Sequence, residues 1–476
     1  MPEQPLAKVS FTIRRRPARR INSIFVTAMF SAILLAHPGH LRAQQALSLE
    51  EAVRLALAQN PEVQASASAV KGTAERVVQA RAGYLPDVNY TESLQWGNNP
   101  VYVFGALLQQ HRFSSGNFDV GTLNRPDALT NFASQLTVSQ SLFDGNKTRN
   151  RLRAAHLAGN MASEQSRESQ MDVILEVAQN YYAAVVAQEN QLVAEEAWRT
   201  AQADLDRSQA LRDAGMTTDA DVLALRVHLA EMEDQRIRAR NSLRLALARL
   251  NDVVAVPLET EYLLSTPLRP APVSASPSGA RLEEYENQAL RQRPEAKQAE
   301  MAVSLAEIES KLARAVLLPE VTAHGVFEAN RQTFATRGGS DWMTGATLHL
   351  NLFHGFADRS RIAEASFATT QREQERQKTQ SALRLQVRQS FWDLQSAGSR
   401  MEAAQAAIDQ AEEDHRIVAN RYEAGISTVT ELLRSQTALS AAQFRLLAAI
   451  FDQRIAAVRL ERAAGSLNPS SDVLKP

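Results

Sequence analysis

The stretch NRYEAGISTVTELLRSQ, residues 420–436, decides the fold because a similar stretch, ALRDAGMTTDADVLALR, occupies residues 210–226. Each is a helix-like segment that breaks at Ala-Gly and restarts after a hydroxyl residue and an acid. Gly215 and Gly425 can adopt the left-handed conformation that ends a helix. The hydroxyl residue and the acid match a capping box, which begins the next helix. These pairs are Thr218 with Asp221, and Thr428 with Glu431. Each stretch therefore predicts a tight helical hairpin.

The two stretches belong to a duplication that runs through the whole chain. Four motifs recur, the first two at an offset of 233 residues and the others at 210: LEE at 49 and 282, PE at 61 and 294, LFxG at 142 and 352, and AG at 214 and 424. The offset changes once, which places 23 extra residues in the first copy. The sequence predicts two large repeats, residues 44–280 and 281–464, and the period is too long for a solenoid.

Each repeat contains a segment that alternates apolar and small polar residues, as β-strands do. Examples are Val88, Tyr90, Leu94 and Trp96 in the first copy, and Val321, Ala323 and Phe327 in the second. The alternation predicts β-hairpins at 87–143 and 319–353. It fits either a half-buried soluble hairpin or the lipid-facing strands of a transmembrane barrel, and the secretory signal described below favours the barrel. The extra residues fall between Gly97 and Thr130, where a long surface loop is predicted.

After each hairpin comes a long tract without proline, which predicts a long helix at 144–213 and another at 355–423. At 1.5 Å per residue the first would be about 105 Å long. Its apolar residues follow 3-4 spacing, typical of a coiled-coil seam. These seam residues are Met171, Ile174, Ala178, Tyr181 and Val185. Return helices are predicted at 218–251 and 428–464, a connection at 253–280 and a disordered tail at 465–476.

Composition narrows the class of protein. The 476 residues carry 52 basic and 53 acidic side chains, so no basic footprint for nucleic acid is present. No cysteine occurs, which excludes disulfides and a lipid anchor on an N-terminal cysteine. The histidines show no ligand-like cluster, so neither an enzyme, a metal nor a cofactor is predicted.

The N-terminus has the pattern of a secretory signal. Five arginines within residues 14–20 precede an apolar run at 21–36, and Ala43 is a suitable cleavage residue. The alternative is an uncleaved membrane anchor, for which the apolar run is short. The sequence predicts a signal peptide at 1–43, and no later segment is apolar enough for a membrane helix. A mature chain that enters a membrane would then do so as β-strands.

Four strands cannot close a barrel, and open strand edges are not viable in lipid. Three copies would supply 12 strands, an even number within the usual range. The predicted fold is therefore an α+β membrane protein with four strands per chain, built from two internal repeats and continued by long helices. With three copies it would be a trimeric 12-stranded β-barrel.

The whole mature chain resembles the TolC-like outer-membrane efflux proteins. The duplication, the Leu-Phe-x-Gly exit from each hairpin and the motif RYxAGxSxxxELL at 421–433 carry this resemblance. It implies a homotrimer in the outer membrane of a Gram-negative cell, in contact with outer-membrane lipid, whose helices form a long periplasmic α-helical barrel. It also implies the function of an exit channel in a tripartite efflux system, with a periplasmic membrane-fusion adaptor and an inner-membrane pump as partners. Two alternatives stay open: a type I secretion duct for polypeptides, and a periplasmic coiled-coil scaffold without a pore.

The resemblance also assigns roles at the two turns. Adaptor docking falls to Gly215, Met216, Thr217, Tyr422, Gly425, Ile426 and Ser427. The pore constriction falls to Asp219, Asp221, Glu431 and Arg434. The docking residues can equally be helix stops, and Asp221 and Glu431 can equally be capping residues. Arg434 stands where the family can carry another acid, so we expect it to pair with Glu431 within one helix and to weaken cation preference. The Tyr422 hydroxyl is a candidate tether of the closed tip, and Arg212 takes its place in the first copy.

Overall fold

The computed structural model describes residues 45–271 and 279–475, and the predicted signal peptide at 1–43 lies outside them. In the first copy, a short strand and two helices precede a β-hairpin that leads into a long helical hairpin. The elements are β1 (Gln45–Leu47), α1 (Leu49–Gln59), α2 (Pro61–Ala82), β2 (Asp87–Gly97), α3 (Pro100–Gln109), α4 (Val120–Asn124), β3 (Leu129–Phe143), α5 (Lys147–Asp213) and α6 (Asp219–Val254).

The second copy repeats this order, except that its β-hairpin loop contains no helix. Its elements are β4 (Tyr262–Leu264) in the connection, α7 (Gly279–Gln292), α8 (Pro294–Arg314), β5 (Glu320–Arg331), β6 (Gly339–His349), α9 (Ala357–Glu423) and α10 (Val429–Ala464). In the connection, β4 pairs with β1, and residues 272–278 lie outside the described part. The two copies thus share two short helices, a β-hairpin and a long helical hairpin.

The two β-hairpins form one antiparallel sheet in the order β2-β3-β5-β6. The register sets Tyr90, Leu136, Phe327 and Trp342 side by side across the four strands. Because alternate residues point to opposite faces, this row defines an apolar face of the sheet. That face is open to solvent in the single chain, where the Trp342 side chain is 73% exposed.

The last residues of both β-hairpins differ from what the alternation of apolar and polar residues predicts. The register shifts between Ser141 and Phe143, so Phe143 pairs with Val321 and Leu142 is the extra residue of a β-bulge. The second hairpin was predicted to run to residue 353, but β6 ends at His349. Beyond the strand, Asn351 Nδ2 donates to Asp358 Oδ2 at 2.6 Å, which ties the strand exit to the start of α9.

The long loop predicted in the first hairpin is folded instead. Asn99 Oδ1 accepts hydrogen bonds from the first amides of α3, including Val101 N at 3.0 Å, so the Asn-Pro pair begins a helix rather than a turn. The loop also has apolar side chains of its own to bury. Phe113 lies edge-to-face between Phe104 and Phe118, with ring centroids 4.8 and 5.2 Å away. The prediction of an irregular loop was therefore wrong. It was based on the turn residues of this segment and took no account of the apolar residues between them, which form a helix and an aromatic cluster.

The helices α5 and α9 each contain 67 residues, which corresponds to about 100 Å. Each pairs with its 36-residue return helix, α6 or α10. Within the described residues, no helix is both long and apolar enough to cross a membrane. The predicted seam of α5 is buried, but it lies in the main core with α1, α6 and α10 rather than in a two-helix coiled coil. The predicted spacing of the buried seam is confirmed.

The C-terminal tail, predicted to be disordered, packs against the core over residues 466–475. Leu467 and Leu474 are buried there. The side chain of Arg454 donates to the carbonyl oxygen of Lys475 at 3.2 Å. The prediction of disorder was based on the polar composition of the tail and was wrong. Two buried leucines and a hydrogen bond from Arg454, which is distant in sequence, hold the tail in place.

A partly buried ion-pair network joins α5, α8 and α10. Arg462 Nη1 donates to Glu295 Oε1 at 3.0 Å and its Nε to Asp172 Oδ1 at 2.6 Å. Arg293, at the N-terminus of α8, donates to both oxygens of Glu295. Burial alone would raise the pKa of Glu295, but Arg293 and Arg462 outweigh it and lower this pKa to about 2.

We expect Glu295→Gln to make the protein less stable at neutral pH but less sensitive to acid. A carboxyl group whose pKa is lowered in the folded state contributes stability above its unfolded pKa, and this contribution is lost as the pH falls through the folded value. The loss should run from about pH 4.5 to pH 2 and amount to on the order of 3 kcal/mol. Thermal unfolding of the wild type and the variant over this pH range measures the difference.

Glu307→Gln is the matched control, because Glu307 is an exposed residue of the same helix. Its stability should follow the wild type at every pH. Glu168 responds in the opposite direction, because burial and the charge of Glu295 raise its pKa. The informative quantity is therefore the difference in stability between the wild type and Glu295→Gln at each pH. A difference that does not change with pH would contradict the prediction.

Candidate functional site: the two helical turns

The two turns have the same backbone geometry. Gly215 has φ +75° and Gly425 has φ +73°, so both glycines adopt the predicted left-handed conformation. The amides after each break bond back into the preceding helix, as Met216 N does to Leu211 O and Ile426 N to Arg421 O, both at 2.8 Å. This is the Schellman pattern of a helix C-terminus. Both capping boxes predicted for the return helices are formed.

Gly425→Ala should lower the free energy of unfolding by about 1 kcal/mol, because alanine is strained at a positive φ. Apart from Gly425 and the residues on either side of it, no described atom lies within 4 Å of the position that an added Cβ would occupy, so the backbone alone accounts for the cost. Gly398→Ala is the matched control. Gly398 lies inside α9 with equally free space, and alanine there should stabilise the helix by up to about 1 kcal/mol. Changes of the same sign in thermal unfolding experiments would contradict this account.

The two acids after the turns are held by the caps. Asp221 Oδ2 accepts from Thr218 Oγ1 at 2.7 Å and from Thr217 Oγ1 at 2.9 Å, and these hydrogen bonds lower the pKa of Asp221. Glu431 accepts from the Ser427 hydroxyl and from Thr428 N, and these bonds lower its pKa in the same way. Both carboxyl groups are therefore ionised at neutral pH. Capping is thus observed directly, and a role in the pore stays a prediction.

The other two residues of the predicted constriction, Asp219 and Arg434, take no part in the capping boxes. Asp219 is exposed, and its Oδ1 lies 3.9 Å from Arg212 Nη1. The expected pair between Arg434 and Glu431 is wrong, since no ion pair of Arg434 occurs among the side chains that the structure describes. The capping box turns the Glu431 carboxylate back toward Thr428, away from the next turn of the helix. Arg434 instead lines a groove between α6 and α10.

Tyr422 packs between the two helical hairpins. Its ring lies against a small buried cluster of Leu205, Val222, Leu225 and Val429. Its hydroxyl is buried and makes no hydrogen bond to any described residue. Burial raises the pKa of Tyr422, and the charges of Asp221 and Asp204 add to this. The hydroxyl tether is thus not formed within one chain, where the contribution of Tyr422 is packing.

Two polar bridges near the turns were not predicted. Arg207 Nη1 donates to Glu423 Oε1 at 2.6 Å, and Gln436 Nε2 donates to Asp204 Oδ2 at 2.5 Å. Each bridge joins the first copy to the second across more than two hundred residues of sequence. The partners differ between the copies, so comparing the repeats gives no signal for them. The apolar side chains of Met216 and Ile426 remain exposed at the two turns, by 74% and 69%.

The chain folds as two copies of a helical hairpin, each joined to a β-hairpin of one shared sheet. This fold defines the class of outer-membrane channels that contain long helices. The family profile described as outer membrane efflux protein matches residues 52–255 and 286–466. The chain therefore belongs to the outer membrane efflux protein family.

Relatives of known name support this assignment. The chain is 27% identical to CyaE of Bordetella pertussis over 429 residues, which cover 89% of this chain and 85% of CyaE. It is 24% identical to the alkaline protease secretion protein AprF of Pseudomonas aeruginosa over 440 residues, 89% of this chain and 85% of AprF. It is 23% identical to the outer membrane protein TolC of Escherichia coli over 447 residues, 89% of this chain and 83% of TolC.

The fold matches a solved structure as well. The Campylobacter jejuni CmeC outer membrane channel has a TM-score of 0.73 at 17% identity, over 89% of this chain and 87% of CmeC. The predicted resemblance is confirmed, and with it the outer membrane of a Gram-negative cell as the location. The chain is a channel component rather than an enzyme, and the scaffold without a pore is wrong. Family membership implies adaptor and pump partners in general.

Proposed function

We propose that three copies of this chain form one duct, whose barrel of 12 strands crosses the outer membrane and continues into a helical tunnel. The observation that carries the proposal is the apolar row across all four strands. Its side chains are exposed in the single chain, although exposed aromatic rows are costly in water. The sheet also ends in strands β2 and β6, which pair on one side only within the described chain. Three copies would cover every edge and turn the apolar face to lipid.

The same arrangement gives the helical turns a function. The helices α5 and α9 lead away from the sheet and end at the turns, so three copies would bring six turns together at the far end of the tunnel. Exposed Met216 and Ile426 suit contact with a periplasmic adaptor, and the ionised Asp221 and Glu431 suit a narrow mouth. A ring of carboxylates attracts cations and repels anions.

The cargo has two candidates. Efflux of small solutes follows from the family of the chain, and we take it as the main function. Export of polypeptides is the second candidate, and the similarity to a protein named for alkaline protease secretion favours it. Deleting the gene in its host and measuring both sensitivity to dyes and antibiotics and the proteins secreted into the medium would separate the two.

The duct itself is tested by planar-bilayer conductance of the purified mature protein, with chemical cross-linking of the same sample. We expect discrete conductance steps from a preparation that cross-links to a trimer. Small steps would indicate a mouth that is held closed at the turns. A protein that neither inserts nor forms trimers would contradict the proposal.

A further inference from the structure

The segment 98–128, here called the cap, has no counterpart in the second copy. It joins β2 to β3, whereas residues 332–338 make the same connection between β5 and β6. Both connections lie at the same end of the sheet, because the strands are antiparallel. The cap is built around the helix α3 and its own aromatic cluster, so it is a folded element rather than an extended loop.

Hydrogen bonds, one of them fully buried, fix the cap to the ends of the strands. Gln110 is only 3% exposed, and its Nε2 donates to Thr130 O and to Asn131 Oδ1, both at 2.9 Å. The Tyr102 hydroxyl lies 3.0 Å from the carbonyl oxygen of Gln95, at the end of β2. The buried hydrogen bond from Gln110 to Asn131 is costly to break, because a buried polar group then loses its partner. The cap is therefore held in one position on the sheet.

The C-terminal end of α3 lies directly against the start of β6. A Cβ atom at Gly339 would lie 2.0 Å from Gln109 O and 2.7 Å from the ring of His111. Backbone approaches this close require glycine. The cap thus extends from β2, where its chain begins, to β6 at the opposite edge of the sheet.

Near the strand ends, the cap lies over the polar face of the sheet. Asn131 and Asn330 lie on that face by register, and Asn131 Nδ2 donates to Asn330 Oδ1 at 2.6 Å. They are 4% and 0% exposed, although both are polar and close to the end of the sheet. At the same end, Trp96 of the apolar face is 76% exposed. The cap accordingly buries the end of the polar face and leaves Trp96 on the other face exposed.

We propose that the cap overhangs the lumen and sets the size of the solutes that pass the outer mouth. The proposal rests on the proposed trimeric duct, in which the apolar face contacts lipid and the polar face lines the lumen. Three caps would then project over the opening from three sides. The channel would carry a second narrow point, at the end opposite to the helical turns, that limits both release of cargo and entry of solutes from outside.

The test uses the full-length mature protein in planar bilayers, with polyethylene glycols of graded size added to one chamber at a time. A polymer that enters the lumen lowers the conductance, so each chamber yields a size limit for its own mouth. Gln110→Ala and Gly339→Ala release the cap from opposite sides of the same contact. On the cap side, both variants should admit larger polymers than the wild type, while the limit on the other side stays unchanged.

Thr336→Ala is the matched control, since Thr336 lies in the short connection 332–338 at the same end of the sheet. It should keep the size limit of the wild type. Variants that form trimers and keep the wild-type limit on the cap side would contradict the proposal. Loss of trimers in both variants would contradict it too, because the cap would then belong to the fold itself. A wild-type protein that forms no conducting trimer would instead contradict the duct, and the cap would have no lumen to cover.

Discussion

An Arg454→Met variant should lose about 3 kcal/mol of unfolding free energy, the scale of one or two charged hydrogen bonds, and release the C-terminal tail. Arg454 is 1% exposed, yet among the described residues no carboxylate pairs with it. Its guanidinium is held by carbonyl oxygens, with Nε 2.6 Å from Arg269 O and Nη1 3.2 Å from Lys475 O. It also lies over the Tyr182 ring, 5.6 Å from the centroid. Methionine fills the space of the side-chain stem but leaves these carbonyls without donors.

Two measurements check this expectation. Chemical unfolding gives the free energy, and limited proteolysis shows whether residues 466–475 have become accessible. Arg459→Met is the matched control, because Arg459 is an exposed arginine of the same helix. It should change stability little and leave the tail protected. If both variants lost the same stability, or if the tail of Arg454→Met resisted protease, the carbonyl contacts would not be what holds the tail.

The double variant Asp221→Asn, Glu431→Gln should lose most of the cation preference of the channel while its thermal midpoint changes little. Asparagine and glutamine keep a carbonyl oxygen that can accept the capping hydrogen bonds, so the turns should still form. The charge of both side chains is removed. The pKa of each carboxyl group is lowered in the folded protein, so the cation preference of the wild type should persist under mildly acidic conditions. It should decline only below the ordinary carboxyl range, where both groups take up protons.

The measurement is the reversal potential across a bilayer that separates two concentrations of potassium chloride. Arg434→Ala is the complementary variant, because removing a positive charge near the same mouth should raise cation preference. If the double variant and Arg434→Ala both kept the wild-type reversal potential, these residues would lie outside the ion pathway. This result would leave the duct intact and confine Asp221 and Glu431 to capping.

Much of the site follows from local sequence. The helices end at Gly215 and Gly425 because glycine tolerates a positive φ. The capping boxes that begin the return helices require only a hydroxyl residue and an acid three positions apart. These interactions span a few residues, so the sequence of one repeat specifies them. The same pattern in the second repeat supports the prediction. The expected Arg434–Glu431 pair was also inferred from residues close in sequence, but it does not form. The capping box at Thr428 holds the Glu431 carboxylate instead.

The sequence by itself determined the two copies, the long helices, the turns between them and the alternation of the strands. These features depend on backbone conformation and on periodicity, both of which are encoded over short distances. Only the tertiary structure decided that the insertion folds over the polar face, that Arg454 holds the tail and that Glu295 lies between two arginines. Each depends on a hydrogen bond between residues far apart in the chain. Which carbonyl or carboxylate meets a given donor is fixed by how the elements pack, and no local pattern records it.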